Sequence, residues 1–264
     1  MVKKILSILA WVITAAGLVV LFIFARRNYL ETPITLIEPN IERSSDTGFV
    51  SRVATINELN EICSKAKVAN IDMPKILAKL DSNPWIESRS TYVDLNGNLN
   101  INIKEYEPLL RVFSWQGQSI YLTEDGIVFP SSPQYRPYLL VASGNYSFDE
   151  IKSAYPLNDT IELDSILRNT LHIAKAIKEN DFTKNAIGQI YYNQIGEFEL
   201  VAKDIQARII VGDTCQIDDK LKRLEIFTKK KFGTQELLGM KTINLKYRNN
   251  TKVHHLNHRR QKAS

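Results

Sequence analysis

The longest apolar run in the chain is "ILSILAWVITAAGLVVLFIF", residues 5–24, and it carries no charged side chain. At about 1.5 Å of rise per residue, it spans about 30 Å as a helix, the thickness of a bilayer core. A cleaved signal peptide has a shorter apolar core and a small-x-small cleavage site. This run ends in Phe24-Ala25-Arg26-Arg27, so the pattern predicts an uncleaved transmembrane helix over 5–24. Lys3, Lys4 and the amino terminus face Arg26 and Arg27 across it, with Glu31 nearby, and charge alone leaves the orientation open.

Beyond this run the apolar positions become periodic. After a short juxtamembrane stretch from residue 28, "ITLIEP" reads as a first strand and "NIERSSDTG" as a polar loop. In "TINELNEICSKA", Leu59, Ile62, Cys63 and Ala66 recur at the spacing of one helix face, and Thr55 and Glu58 have the spacing of a capping box. In "IDMPKILAKLDSNPW", Met73, Ile76, Leu77 and Leu80 repeat that spacing, with Asp72 as N-cap and Pro74 in the first turn. Asn83-Pro84 ends this helix. Two alternating runs then flank Asn96-Gly97, a pair suited to a type I′ hairpin turn. Leu99, Ile101 and Ile103 share one face of the return strand, and Asn98, Asn100, Asn102 and Lys104 share the other. One face is therefore buried and one wet. The two helices, with Trp85 beneath the second, are expected to cover the apolar face. The order is strand, helix, helix, strand, strand, in about 75 residues, a size that can fold alone.

After Pro108 the pattern becomes strand-rich. "LLRVFSWQGQSIYLTEDGIVFP" reads as strands broken at Gln-Gly and Asp-Gly, and "SSPQYRPYLLVASGNY" as a loop and a strand. "DSILRNTLHIAKAIKEN" is a predicted helix with Asp164 as N-cap and Ile166, Thr170, Ile173 and Ile177 inward. "QIYYN", "GEFELVAK" and "ARIIVG" are three successive strands, with one of Tyr191 and Tyr192 facing the core. "IDDKLKRLEIFTKKKF" is a helix with Ile217, Leu221, Leu224 and Phe227 inward, and "KTINLKYRN" is a closing strand. The fold class predicted is α+β: an N-terminal transmembrane helix, a small β-α-α-β-β domain, then a sheet-rich domain with two helices.

Composition excludes more than it selects. Part of the net charge of +5 lies in the end segment "TKVHHLNHRRQKAS", so the folded body is nearer neutral and the charge is no nucleic-acid signal. Residues 251–264 read as a basic, mobile tail. Cys63 and Cys215 lie far apart, without CxxC spacing, and read as separate buried residues rather than a disulfide framework. There is no GxSxG, Walker loop or HExxH. Gly212-Asp213-Thr214 with Asp218 and Asp219 reads as a capped helix start rather than a metal loop, and His254, His255 and His258 as part of the tail. Lys229–Lys231 end a helix, where positive charge suits the dipole. No catalytic set, cofactor or metal is predicted.

Four segments in this order resemble the bacterial cell-division family FtsQ/DivIB. Pro84, Trp85, Ile86, Leu99, Ile101, Ile103, Glu105 and Pro108 fit the hallmark of its POTRA domain. "YLTEDGIVFP", "ARIIVGDTCQIDDKLKRLEIF" and "KTINLKYRNN" are similar to segments of its β-domain, although the family's closing Asp-Leu-Arg-Tyr is Asn-Leu-Lys-Tyr here. The resemblance implies a cytoplasmic tail at 1–4, a POTRA domain at 28–107 and a β-domain at 108–250, with the bulk in the periplasm and the protein at the septum. It implies a non-enzymatic divisome scaffold working through FtsB- and FtsL-type partners and other divisome proteins, with no nucleic acid. Alternatives from other classes are a membrane-anchored enzyme acting on the cell wall through scattered acids and a POTRA-type transport or assembly component. The latter would bring a β-barrel or further POTRA copies. Alternation over 242–248 predicts a core face of Ile243, Leu245 and Tyr247. As the last element, this strand is expected at a sheet edge. The resemblance places a partner strand there, so Thr242, Asn244, Lys246, Tyr247 and Arg248 are the expected partner-binding residues, with Tyr247 as anchor.

Overall fold

The uncharged run forms α1, Val2–Glu31, in a computed structural model that describes residues 2–43, 46–158, 162–204, 207–231, 240–247 and 252–255. From Ile5 to Phe24 its apolar side chains stand exposed, Trp11 by 75% and Phe22 by 68%. By length and composition α1 is long and apolar enough to cross a bilayer, while at its C-terminal end Leu30 O accepts the Ala69 N–H at 3.0 Å. It outlasts the apolar run, because the juxtamembrane stretch is also helical as far as Glu31. An Arg27–Glu31 pair at i,i+4 supports that extension.

The chain divides into two compact units, Met1–Tyr106 and Glu107–Ser264. In the first, β1 (Thr35–Leu36) and β2 (Asn40–Glu42) pair in parallel with successive parts of β4 (Asn98–Glu105). β3 (Ile86–Val93) fills the other side of β4, antiparallel. The predicted polar loop thus contributes the second half of an edge strand. The halves part at Pro39, which has no N–H for a ladder. α2 (Arg52–Cys63) starts before its predicted cap: the Ser51 hydroxyl accepts the Ala54 N–H, and Thr55 is buried inside the helix. α3 (Met73–Asp81) starts as predicted, with the Asp72 carboxylate accepting the Lys75 N–H at 3.0 Å. Leu59, Cys63, Ile76 and Leu80 of the helices pack with Leu99, Ile101 and Ile103 of β4. Burial pushes the Cys63 thiol pKa up, consistent with a packing role. Trp85 lies at the margin of this core, half-buried.

The hairpin is not type I′, because only Gly97 of the Asn-Gly pair has positive φ, at 82°. Gly97 N–H closes on Asp94 O, and the Asp94 carboxylate accepts the N–H groups of Asn96 and Asn98. The Asn98 side-chain amide adds a further bond and, with those N–H groups, holds the Asp94 carboxyl below the usual carboxylate range. A Cβ at position 97 would lie 2.6 Å from Pro33 O, so glycine is required on both counts. At the end of β4, the buried Glu105 carboxylate accepts the N–H groups of Phe49 (2.9 Å) and Val50 (3.1 Å), with Arg43 at 3.4 Å. This acid of the hallmark pattern therefore fixes the loop that leads into α2.

In the second unit, β5 (Pro108–Phe113), β6 (Ser119–Thr123) and β7 (Ile127–Pro130) form an antiparallel meander through the predicted turns. β8 (Leu140–Gly144) returns parallel to β5, and β9 (Tyr155–Pro156) borders β7. α4 (Glu162–Glu179) and α5 (Asp181–Ala186) lead to β10 (Ile187–Tyr192), parallel to β8. β11 (Phe198–Ala202) and β12 (Arg208–Gly212) follow antiparallel. α6 (Ile217–Lys231) crosses over to β13 (Met240–Asn244), parallel to β12, and β14 (Lys252–His255) pairs antiparallel with β13. The order across this ten-stranded sheet is β14-β13-β12-β11-β10-β8-β5-β6-β7-β9.

Leu167, Ile173 and Ile177 of α4 and Ile217, Leu221 and Leu224 of α6 share one core with inward residues of eight strands, from Leu110 of β5 to Ile243 of β13, and with Leu245 just beyond. Tyr192 joins that core while Tyr191 is 36% exposed. Asp164 does not cap α4. It lies buried one residue inside the second helical position, and its carboxylate accepts the Asn158 N–H at 2.8 Å and the Tyr155 hydroxyl. Asn180, predicted as the helix end, instead caps α5 by accepting the Thr183 N–H. On the opposite sheet face Tyr121 and Phe129 are fully buried with ring centroids 5.5 Å apart, and Arg111 lies over the Tyr121 ring. Both aromatics belong to the "YLTEDGIVFP" segment.

Candidate functional site

A strand at the border of a sheet leaves main-chain groups that another chain can pair with. The large sheet is bordered by β9 and β14. β9 is two residues long and ends in Pro156, which donates no hydrogen bond. The β14 border adjoins the predicted partner-binding residues.

This border is assembled by α6. Parallel neighbours require a crossover, and α6 supplies it by burying Ile217, Leu221 and Leu224 before the chain returns beside β12. At the end of β12, Gly212 has φ +78°, and a Cβ there would lie 2.9 Å from Lys246 Cγ. The buried Lys220 ammonium reaches back from α6 to Asp213, donating to its carbonyl at 3.0 Å and its carboxylate at 2.7 Å. That bond holds the Asp213 carboxyl below the usual carboxylate range. Asp218 and Asp219 occupy the first turn of α6. Among the described residues, no group of three or more His, Cys, Asp and Glu is placed to hold a metal.

β13 registers Thr242 against Arg208, Ile243 against Ile209 and Asn244 against Ile210. Ile243 and Leu245 are fully buried, while Thr242 and Asn244 are half-buried. The Asn244 side-chain oxygen then accepts the Lys246 N–H at 3.0 Å, a local turn that ends the strand. The Arg223 guanidinium of α6 donates to Leu245 O at 2.9 Å and Tyr247 O at 2.6 Å. The Lys246 ammonium pairs with Glu197 in the β10–β11 turn, and that hydrogen bond pushes its pKa up. Tyr247 is 57% exposed.

Two expectations are corrected here. Alternation put Tyr247 on the core face with Ile243 and Leu245, but the turn at Asn244 breaks the period of two and swings Tyr247 outward. The closing strand was also expected to be the last regular element, at the edge. Instead Lys252–His255, expected in a mobile tail, form β14 on its outer side, with Val253 in register with Ile243 and Lys252 with Asn244. Thr242, Asn244, Lys246 and Tyr247 therefore cluster at the end of β13, one strand in from the border. Arg248 and His258 lie outside the described residues. Sequence reasoning missed Arg223, Lys220 and Glu197. Their contacts span 24, 7 and 49 positions along the chain, and no local period marks them.

A profile of the family described as FtsQ/DivIB, C-terminal related, matches residues 107–251. That is more than half of the 264 residues and nearly all of the second unit, from β5 to the residue before β14. Comparison with curated proteins gives no match. The match covers both crossover helices, the buried Tyr121–Phe129 pair and the whole of β13 with its Arg223 clamp. The chain belongs to the FtsQ/DivIB family of cell-division proteins.

Proposed function

We propose that this chain is a non-enzymatic scaffold of the bacterial divisome, held in the inner membrane by α1, with its N-terminus cytoplasmic and its bulk in the periplasm at the septum. Its first unit acts as a POTRA domain and its second as the family's β-domain. The protein links early division proteins to septal peptidoglycan synthesis through FtsB- and FtsL-type partners, received by strand addition at the C-terminal border of the large sheet. The observation that carries this reading is a bilayer-length helix in one chain with a family-matched domain whose sheet ends in a strand without proline. Main-chain hydrogen bonds would supply affinity there, and the exposed Tyr247 an aromatic anchor beside it. Lys246 is already committed to Glu197, so it serves to position the segment rather than to attract an acidic partner. The test is a photo-crosslinking residue in place of Tyr247 in the full chain, in dividing cells. Capture of a small single-pass division protein is expected. Efficient capture from a control site on the β9 border, with none from position 247, would refute the site.

A further inference from the structure

We propose that the end of the first unit that adjoins α1 is a lipid-binding surface: Lys65 and Lys67 meet anionic phospholipid headgroups while Leu95 enters the bilayer interface. The inference rests on the reading that α1 crosses the membrane, and it adds a second contact with the same bilayer. Two turns converge on the junction between α1 and β1. The chain leaves α1 at Glu31 and enters β1 at Thr35. β4 runs parallel to β1, so the start of β4 and the hairpin tip before it lie where α1 arrives. The Thr35 N–H donates to Gly97 O at 3.0 Å, and Gly97 abuts Pro33 O. The turn between α2 and α3 is fastened to the same junction. The Ala69 and Val68 N–H groups donate to Leu30 O and Thr32 O, both at 3.0 Å, and the Ile34 N–H donates to Ala66 O at 2.9 Å.

Height along α1 decides what these turns face. The uncharged run ends at Phe24, and Leu30 lies six residues further, about 9 Å along a helix. The headgroup layer on each side of a bilayer core is about 5–8 Å deep, and any tilt of the helix lowers the junction. Turns hydrogen-bonded to Leu30 and Thr32 therefore stand at the outer margin of the headgroups, within reach of a lysine side chain. Lys65 and Lys67 are both exposed in the α2–α3 turn. The carboxylates of these turns are engaged within the protein: Glu31 with Arg27, Asp72 as the cap of α3, and Asp94 with the Asn96 and Asn98 N–H groups. The lysines, with Arg26 on the last turns of α1, are left to face phosphate. Leu95 is 85% exposed at the tip of a hairpin, where turns ordinarily carry polar residues. An apolar side chain at that level gains by leaving water for the interface.

The test uses the full chain in vesicles of phosphatidylcholine, alone or mixed with phosphatidylglycerol. In a Cys215→Ser background, with Cys63 buried and left in place, a nitroxide is attached at position 95 through Leu95→Cys. Leu18→Cys in α1 and Glu87→Cys at the far end of β3 serve as control sites. Collisions with oxygen, which concentrates in lipid, are compared with collisions with a water-soluble nickel chelate. In the anionic vesicles the oxygen-to-nickel ratio at position 95 should exceed that at position 87 by about twofold or more. Replacing both lysines, Lys65→Gln with Lys67→Gln, should lower the ratio at position 95 by about twofold or more, as should vesicles of phosphatidylcholine alone, because each lysine at an anionic surface shifts such a contact by about fivefold. A ratio at position 95 equal to that at position 87 overturns the inference and leaves α1 as the anchor. So does a ratio that neither the lysine replacements nor the lipid charge moves. Few collisions with either agent at position 95 mark a protein contact at the tip and overturn it too. If position 18 meets the nickel chelate as readily as position 87, α1 does not cross the membrane, and the anchor reading falls together with the lipid surface.

Discussion

Removing the Arg223 guanidinium should loosen the segment that presents Lys246 and Tyr247 without unfolding the sheet. Arg223 donates to Leu245 O at 2.9 Å and to Tyr247 O at 2.6 Å, and its partner Leu245 is fully buried. A hydrogen bond from a charged donor contributes about 1.5–3 kcal/mol where water is excluded. The Tyr247 end is exposed, and water can replace the bond there, so the pair together should contribute about 1.5–3 kcal/mol rather than twice that. Each 1.4 kcal/mol is about tenfold in an opening equilibrium, so Arg223→Ala should raise amide exchange at Leu245 by roughly 10–100-fold. Ile243, held in the ladder to β12 and fully buried, should stay within about threefold of the parent. Arg223→Lys keeps the charge but offers one compact donor group in place of a two-pronged fork, so it should fall between the two. Partner binding should weaken in the same order. If Leu245 exchange in Arg223→Ala stays within about twofold of the parent, the guanidinium does not hold this segment, and the clamp is wrong.

Glu105→Ala should destabilise the first unit by about 2–5 kcal/mol, because two buried N–H groups lose their acceptor, and Glu105→Gln should cost less. Amide protection in α2 and β4 would report it, and equal losses for both variants would show that the one acceptor oxygen glutamine keeps holds neither N–H group. Trp85→Ala should lower stability by about 1–2.5 kcal/mol, below the range for a fully buried tryptophan, since this one is half-buried at the margin of the core. A loss above about 4 kcal/mol would place it inside. A reporter at the C-terminus that works only outside the cytoplasm should be active, and a mature chain beginning near residue 26 would contradict an anchor formed by α1. Lys246→Glu should disturb the β10–β11 turn as well as the border, because it sets two carboxylates together, whereas Lys246→Gln should leave the fold intact.

Much of the fold was legible where one short-range signal acts alone. The 86–105 hairpin rests on alternation and a turn glycine, and α3 on an N-cap, a proline and a stripe of apolar residues. The misreadings occur where a distant group decides. Asp164 has the look of a cap, yet its carboxylate is claimed by Asn158 and Tyr155. Thr55 and Glu58 have capping-box spacing, but Ser51 starts the helix sooner. β2, β9 and β14 are two to four residues long, too short to show a period, and each exists because a longer strand offers it an edge. The candidate site followed the same division. Burial of Ile243 and Leu245 could be read from alternation, while the outward turn of Tyr247 depends on Asn244 and on Arg223, a residue in another element.

The central claim, that this family member serves the division machinery as a membrane-anchored scaffold, is tested most directly by following a fluorescent fusion of the full chain through the division cycle. The account predicts that the fusion gathers at midcell as the septum forms, and that the Tyr247→Ala chain gathers there but no longer holds the small division partner in a co-localised focus. A fusion that stays evenly spread around the membrane while septa form and close would contradict it.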